Sequence, residues 1–162
     1  MKKAVITGSF DPITVGHIDL LKRTIALFGN ATLVILVNGT KNSMFTEDER
    51  LKICKDAVKD IKGAKVAVSD GLTSDAVLSL GANIIVRGAR NATDYDYEYN
   101  LANIMKRFDP SLETVILPTD PALSMISSTY VRELIKYGCP LEGSVPDGAI
   151  GTIHEFYDAK SK

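Results

Sequence analysis

Thr32-Leu33-Val34-Ile35-Leu36-Val37 is a run of apolar and β-branched residues without polar alternation, and it limits the fold more than any other stretch of the chain. A strand with one wet face alternates apolar and polar side chains. A strand apolar throughout is covered on both faces, as in a parallel sheet with helices above and below.

The segments on either side fit that requirement. Ala4-Val5-Ile6-Thr7 predicts a first strand, and Ile18, Leu21, Ile25 and Phe28 recur at helical spacing until Gly29 stops the pattern. Thr46-Glu47-Asp48-Glu49 has the form of a capping box, followed by Leu51, Cys54, Val58 and Ile61 as the stripe of a second helix. Lys65–Val68 predicts a third strand, Leu72 to Leu80 a short helix closed by Gly81, and Asn83–Val86 a fourth strand. A longer helix is expected from near Thr93, with an apolar face of Tyr97, Leu101, Ile104 and Phe108. Glu113–Leu117 predicts a fifth strand, Ser128 to Tyr137 a helix stopped by Gly138, and Pro146 the start of a last helix. There is no repeat or linker, so one domain over residues 1–162 is expected. The alternation predicts an α/β fold with a doubly wound, five-stranded parallel sheet.

Charge narrows the partners. Lys plus Arg number 19 against 20 Asp plus Glu, a net charge of −1, without the basic excess of a general nucleic-acid binder. Any anion site must be local. No apolar run approaches the ~20 residues of a membrane span, and Met1-Lys2-Lys3 leads into too short an apolar stretch for a signal peptide. A cytoplasmic protein is expected, with Cys54 and Cys139 as structural thiols.

In a doubly wound sheet, ligands bind beyond the carboxyl ends of the strands. Three polar stretches follow predicted strands: Gly8 to His17, Arg87-Gly88-Ala89-Arg90, and Ser124 to Arg132. Lys41, after the second strand, is a fourth candidate. Gly8 allows a tight turn and Ser9 offers a hydroxyl. Gly16 and His17 stand at a helix start, where free amides and the dipole favour an anion. His17 either donates to a phosphate oxygen or simply caps and packs the helix. Arg87 and Arg90 are suited to phosphate oxygens, or form salt bridges in a loop. Ser127, Ser128 and Thr129 offer more hydroxyls than one N-cap requires.

In order, these motifs resemble the nucleotidyltransferase superfamily related to class I aminoacyl-tRNA synthetases. More closely, Gly8-Ser9-Phe10-Asp11-Pro12-Ile13-Thr14-x-Gly16-His17, Lys41 with Met44-Phe45-Thr46, Arg87-Gly88-x-Arg90, Asp94-Tyr95-x-Tyr97-Glu98 and Ile126-Ser127-Ser128-Thr129 look like the bacterial phosphopantetheine adenylyltransferase family. The resemblance implies a Rossmann-like nucleotidyltransferase fold. It also implies ATP and phosphopantetheine as substrates, dephospho-coenzyme A and pyrophosphate as products, and a homohexamer.

The same resemblance carries residue roles. His17, Lys41 and Arg90 would be catalytic. ATP would be held by Ser9, Phe10, His17, Gly88, Ala89, Arg90, Glu98 and the loop Leu123, Ser124, Met125, Ile126, Ser127, Ser128, Thr129. Ser9, Lys41, Thr73 and Arg87 would hold phosphopantetheine. No carboxylate cluster has metal-ligand spacing, so magnesium is expected to arrive with ATP, held by the phosphates.

The family often carries an aromatic residue and a proline where this chain has Ile6-Thr7, which leaves part of the substrate pocket open to difference. His154 has no role from the resemblance and reads as a surface or packing residue. A mononucleotide adenylyltransferase, a cytidylyltransferase and a nucleotide-binding module without turnover would share much of the phosphate machinery.

Overall fold

The computed structural model describes residues 3–37 and 42–160. Strands β1 (Ala4–Gly8), β2 (Ala31–Leu36), β3 (Ala64–Ser69), β4 (Ile84–Ala89) and β5 (Glu113–Pro118) form one sheet in the order β3-β2-β1-β4-β5, with every pairing parallel. The helices between and after them are α1 (Val15–Phe28), α2 (Glu47–Val58), α3 (Thr73–Ser79), α4 (Ala92–Phe108), α5 (Ser128–Lys136) and α6 (Asp147–Lys160).

Alternation along the strands divides the core in two. Ala4, Ile6, Leu33 and Ile35 pack on one side with Ile18 and Leu21 of α1, Ile53 of α2, Val131 of α5 and Ile153 of α6. Val5, Val34 and Ile85 pack on the other with Ala76 and Val77 of α3, and with Met105 of α4. Leu33, Val34 and Ile35 are buried in succession, the two-faced burial that the apolar run demands.

The ladders are unequal. β2 pairs β3 from Ala31↔Ala64 to Leu36↔Ser69, and β4 pairs β5 from Ile84↔Glu113 to Ala89↔Pro118. Between β1 and β4 the register holds only at Ala4↔Ile84 and Val5↔Ile85. This is also where the strand order reverses, so the unpaired ends of β1 and β4 open the sheet at its switch point.

Local signals set the helix ends. Gly29 ends α1 at φ +82°, a left-handed conformation that suits glycine, and its N–H donates to the Ile25 carbonyl at 2.7 Å. The capping box is formed, with Glu49 N–H donating to Thr46 Oγ1 and Thr46 N–H to Glu49 Oε2.

Two expectations need correction. β4 continues through Arg87-Gly88-Ala89, so the Arg-Gly-x-Arg motif lies largely within the strand. Ladder bonds to β5 carry the strand past Val86, where the apolar pattern stops. The inward side of α4 carries Asp94, Glu98, Leu101, Ala102 and Met105, while Tyr97, Ile104 and Phe108 are exposed. An ion pair from Glu98 to Arg87 of β4 turns that side toward the sheet.

α6 packs closely on α2. A methyl group at Gly148 would lie 2.7 Å from the Asp56 carbonyl oxygen, and Thr152 Oγ1 donates to the Asp56 carboxylate at 2.6 Å. Lys160 Nζ donates to the Met44 carbonyl at 2.8 Å, pairs with Glu49, and lies 5.1 Å from the Phe45 ring centre. Cys54 is buried, and burial pushes its thiol up to about 12. Cys54 and Cys139 are both free thiols, and His154 is exposed. Among the described residues no helix is long and apolar enough to cross a membrane.

Candidate active site

A cleft of about 450 Å3 lies at the carboxyl ends of β1 and β4. Its first wall is the turn from β1 into α1. A Cβ at Gly8 would lie 3.2 Å from the Phe10 ring, so glycine there lets Phe10 fold back into the core with its backbone at φ +46°. Three carbonyls of this turn are held from two helices. Arg50 Nη1 of α2 donates to Ser9 O at 2.8 Å, Arg132 Nη1 of α5 to Asp11 O at 2.7 Å, and Ser128 Oγ to Pro12 O at 2.8 Å. The Asp11 carboxylate accepts the N–H groups of Met44 and Phe45 at 2.8 and 2.9 Å, and so ties the turn to the segment before α2.

His17 is the third residue of α1 and completes a capping box with Thr14. The Thr14 N–H donates to His17 Nδ1 at 3.0 Å, so the neutral ring carries its proton on Nε2. The ring stands edge-on to Phe10 at 5.0 Å. Burial, then the charges of Arg87 and Arg90, lower its pKa to about 4. At neutral pH, His17 therefore caps α1 with one nitrogen and keeps an N–H on the other, in a ring that lines the cleft.

The second wall comes from β4 and α4. Arg87 donates to Glu98 twice, from Nε at 2.6 Å and Nη2 at 2.8 Å, and from Nη1 to the Thr7 carbonyl at 2.5 Å and hydroxyl at 3.0 Å. Four of the five guanidinium N–H groups are thus engaged, and the side chain bridges β1 and β4 where their ladder has stopped. Thr7 supplies a hydroxyl that a proline at this position would lack. Arg90 donates through Nε to Asp94 at 3.0 Å, leaving Nη1 and Nη2 without a partner among the described residues. Burial opposes charge on Asp94, but the Arg90 side chain and N–H outweigh it and hold the carboxyl below its usual value.

The third wall is the start of α5. Each hydroxyl there has a structural task. Ser127 Oγ accepts the Tyr130 N–H, Ser128 Oγ donates to Pro12, and Thr129 Oγ1 accepts from Arg132. What remains for an anion is the backbone N–H groups of Ser128 and Thr129 at the start of α5, which have no acceptor within the helix.

The cleft gathers Ser9, Phe10, His17, Arg87, Gly88, Arg90, Glu98, Leu123, Ile126, Ser127 and Ser128. Ala89, Ser124, Met125 and Thr129 are not on its wall, and the Met125 side chain stands in solvent. Thr73 borders a small adjoining void with Thr7, Arg87 and Glu98. Lys41 lies outside the described residues. Sequence reasoning did not single out Arg50, although its spacing from Cys54 and Val58 sets it on the apolar stripe of α2. The described residues contain no group of three or more His, Cys, Asp or Glu placed to hold a metal.

A parallel sheet with a phosphate-suited cleft at its switch point defines a nucleotide-handling domain of the nucleotidyltransferase class, and the cytidylyltransferase-like family model matches residues 5–134. Named phosphopantetheine adenylyltransferases match along almost the whole chain. The protein from Lachnoclostridium phytofermentans is 37% identical, over 99% of this chain and 98% of its own length. That from Syntrophus aciditrophicus is 39% identical, over 100% and 99%, and that from Shouchella clausii 39%, over 97% and 99%. The chain belongs to the phosphopantetheine adenylyltransferase family.

Proposed function

We propose that this protein transfers the adenylyl group of ATP to phosphopantetheine, giving dephospho-coenzyme A and pyrophosphate in coenzyme A biosynthesis. The observation that carries the reading is the single cleft joining the β1–α1 turn, Arg87, Arg90 and the start of α5, in a chain related end to end to proteins of that name.

The substrate phosphate is already an anionic nucleophile, so the protein must bring two charged groups into line and neutralise the charge that develops. Alignment supplies roughly 7–11 kcal/mol in favourable cases, and a preorganised donor about 3–4 kcal/mol. Nε2–H of His17 donates to the α-phosphate, and Arg90 acts on the departing phosphates. Ser9 touches both substrates. Arg87 and Lys41 supply positive charge at the phosphopantetheine end, where Thr73 lines the pocket. Glu98, Gly88 to Arg90 and the loop Leu123–Thr129 hold ATP. No covalent intermediate is required. Magnesium enters with ATP as part of that substrate, and no step is assigned to a resident ion.

The same reading makes the protein a cytoplasmic homohexamer without a nucleic-acid partner. The apolar side chains exposed along α4 and the near-neutral charge support this.

The testing assay offers ATP with phosphopantetheine or nicotinamide mononucleotide, and CTP in place of ATP, and follows pyrophosphate. Release with ATP and phosphopantetheine alone is expected. Release only with the mononucleotide or with CTP, or nucleotide binding without release, overturns the proposal.

A further inference from the structure

Beneath the β1–α1 turn lies a buried cation to which the adenylyl-transfer reading gives no part in the reaction. Arg50 stands in the first turn of α2 and is 4% exposed. Among the described residues its Nε has no hydrogen-bond partner and no carboxylate pairs with it. A buried guanidinium without a counter-ion is costly. The side chain donates from Nη1 to the Ser9 carbonyl at 2.8 Å.

That bond acts on one peptide plane. The Ser9–Phe10 peptide is trans, so the Phe10 N–H points opposite to the carbonyl that Arg50 holds. Phe10 lines the cleft, and its N–H has no acceptor among the described residues. Its φ of +46° is a conformation that non-glycine residues keep only where their surroundings enforce it. Arg132 and Ser128 hold the Asp11 and Pro12 carbonyls further along, leaving Arg50 to fix the peptide that presents this donor.

We propose that Arg50 is a positioning residue that fixes the Ser9–Phe10 peptide so that the Phe10 N–H is aimed at the phosphate under transfer. This rests on the adenylyl-transfer reading above.

The test uses the full chain with Arg50→Met and Arg50→Lys, assayed for pyrophosphate release at varied ATP and phosphopantetheine. Because an apolar side chain of similar size tolerates this burial, Arg50→Met is expected to melt cooperatively. Misplacement of a donor predicts a kcat lower by about 100-fold, with both KM values little changed and partial recovery in Arg50→Lys. A second readout is the Phe10 amide in 15N spectra. Its signal moves on saturation with α,β-methylene-ATP in the wild type and does not move in Arg50→Met.

Wild-type kcat in folded Arg50→Met, a change in KM alone, or an unaltered Phe10 response overturns the proposal. If Arg50→Met does not fold, Arg50→Lys decides: reduced kcat at unchanged KM supports the role, and wild-type kcat overturns it. If the wild type releases no pyrophosphate, the adenylyl-transfer reading fails, and the Phe10 response still decides the role of Arg50.

Discussion

His17 divides two tasks between two nitrogens, and its pH behaviour follows. Its folded pKa of about 4 lies below the ordinary 6.5, so between those values the unfolded chain takes up a proton that the folded chain refuses. The stability gained is present above pH 6.5 and is lost as pH falls toward 4, by on the order of 3 kcal/mol. Ring-proton NMR of the free protein should give a midpoint near 4, rising when ATP brings negative charge beside the ring; a midpoint at 6.5 refutes this. Denaturant unfolding of His17→Gln should show a shallower loss of stability over that range than the wild type. His17→Ala and Arg90→Ala should each lower kcat by about 100-fold or more while remaining folded. Wild-type turnover at saturating ATP in either variant removes that residue from its role. Such residues were legible in the sequence because their chemistry stands out against an apolar strand end. The links between site residues were less so: Arg87 and Glu98 stood out separately, but their ion pair and the grip of Arg87 on Thr7 are contacts that span as many as 80 residues.

Among the elements, local signals were the most legible. Gly29, Gly138 and the Thr46–Glu49 box set helix ends through bonds within a few residues. The exposed side of α4 could not be read this way, because aromatic spacing says that a helix has an apolar face but not what covers it. The pair from Glu98 to Arg87 decides which side turns inward. The contact of α6 with α2 gives a sharper test. In Gly148→Ala the new methyl would meet the Asp56 carbonyl at 2.7 Å, backbone that yields little, so a loss of about 1–3 kcal/mol is expected in thermal unfolding. An unchanged melting temperature would mean that the helices separate freely there.

For the whole molecule, a parallel sheet covered on both faces was recoverable from alternation, since a run buried on both faces leaves few other arrangements. The order β3-β2-β1-β4-β5, by contrast, depends on pairings between distant segments that no local pattern carries. Assembly is a matter of surface. Tyr97, Ile104 and Phe108 lie along one flank of α4 and Tyr95 and Tyr99 along the other, all at least half exposed, more apolar surface than isolated surface residues make. Tyr97→Glu with Ile104→Glu should lower the native mass toward that of a single chain, measured by light scattering. A six-chain mass retained by this variant would show that α4 does not build the assembly.

The short register between β1 and β4 also has a mechanical meaning. Ala4↔Ile84 and Val5↔Ile85 are the ladder positions that join the β1–β2–β3 half of the sheet to the β4–β5 half, and the grip of Arg87 on Thr7 reinforces them beyond the ladder. Under load across that line the sheet should part there first, while each half keeps its own strands. The line of easiest fracture and the cleft are then one feature, and a ligand bound across it would act as a rivet.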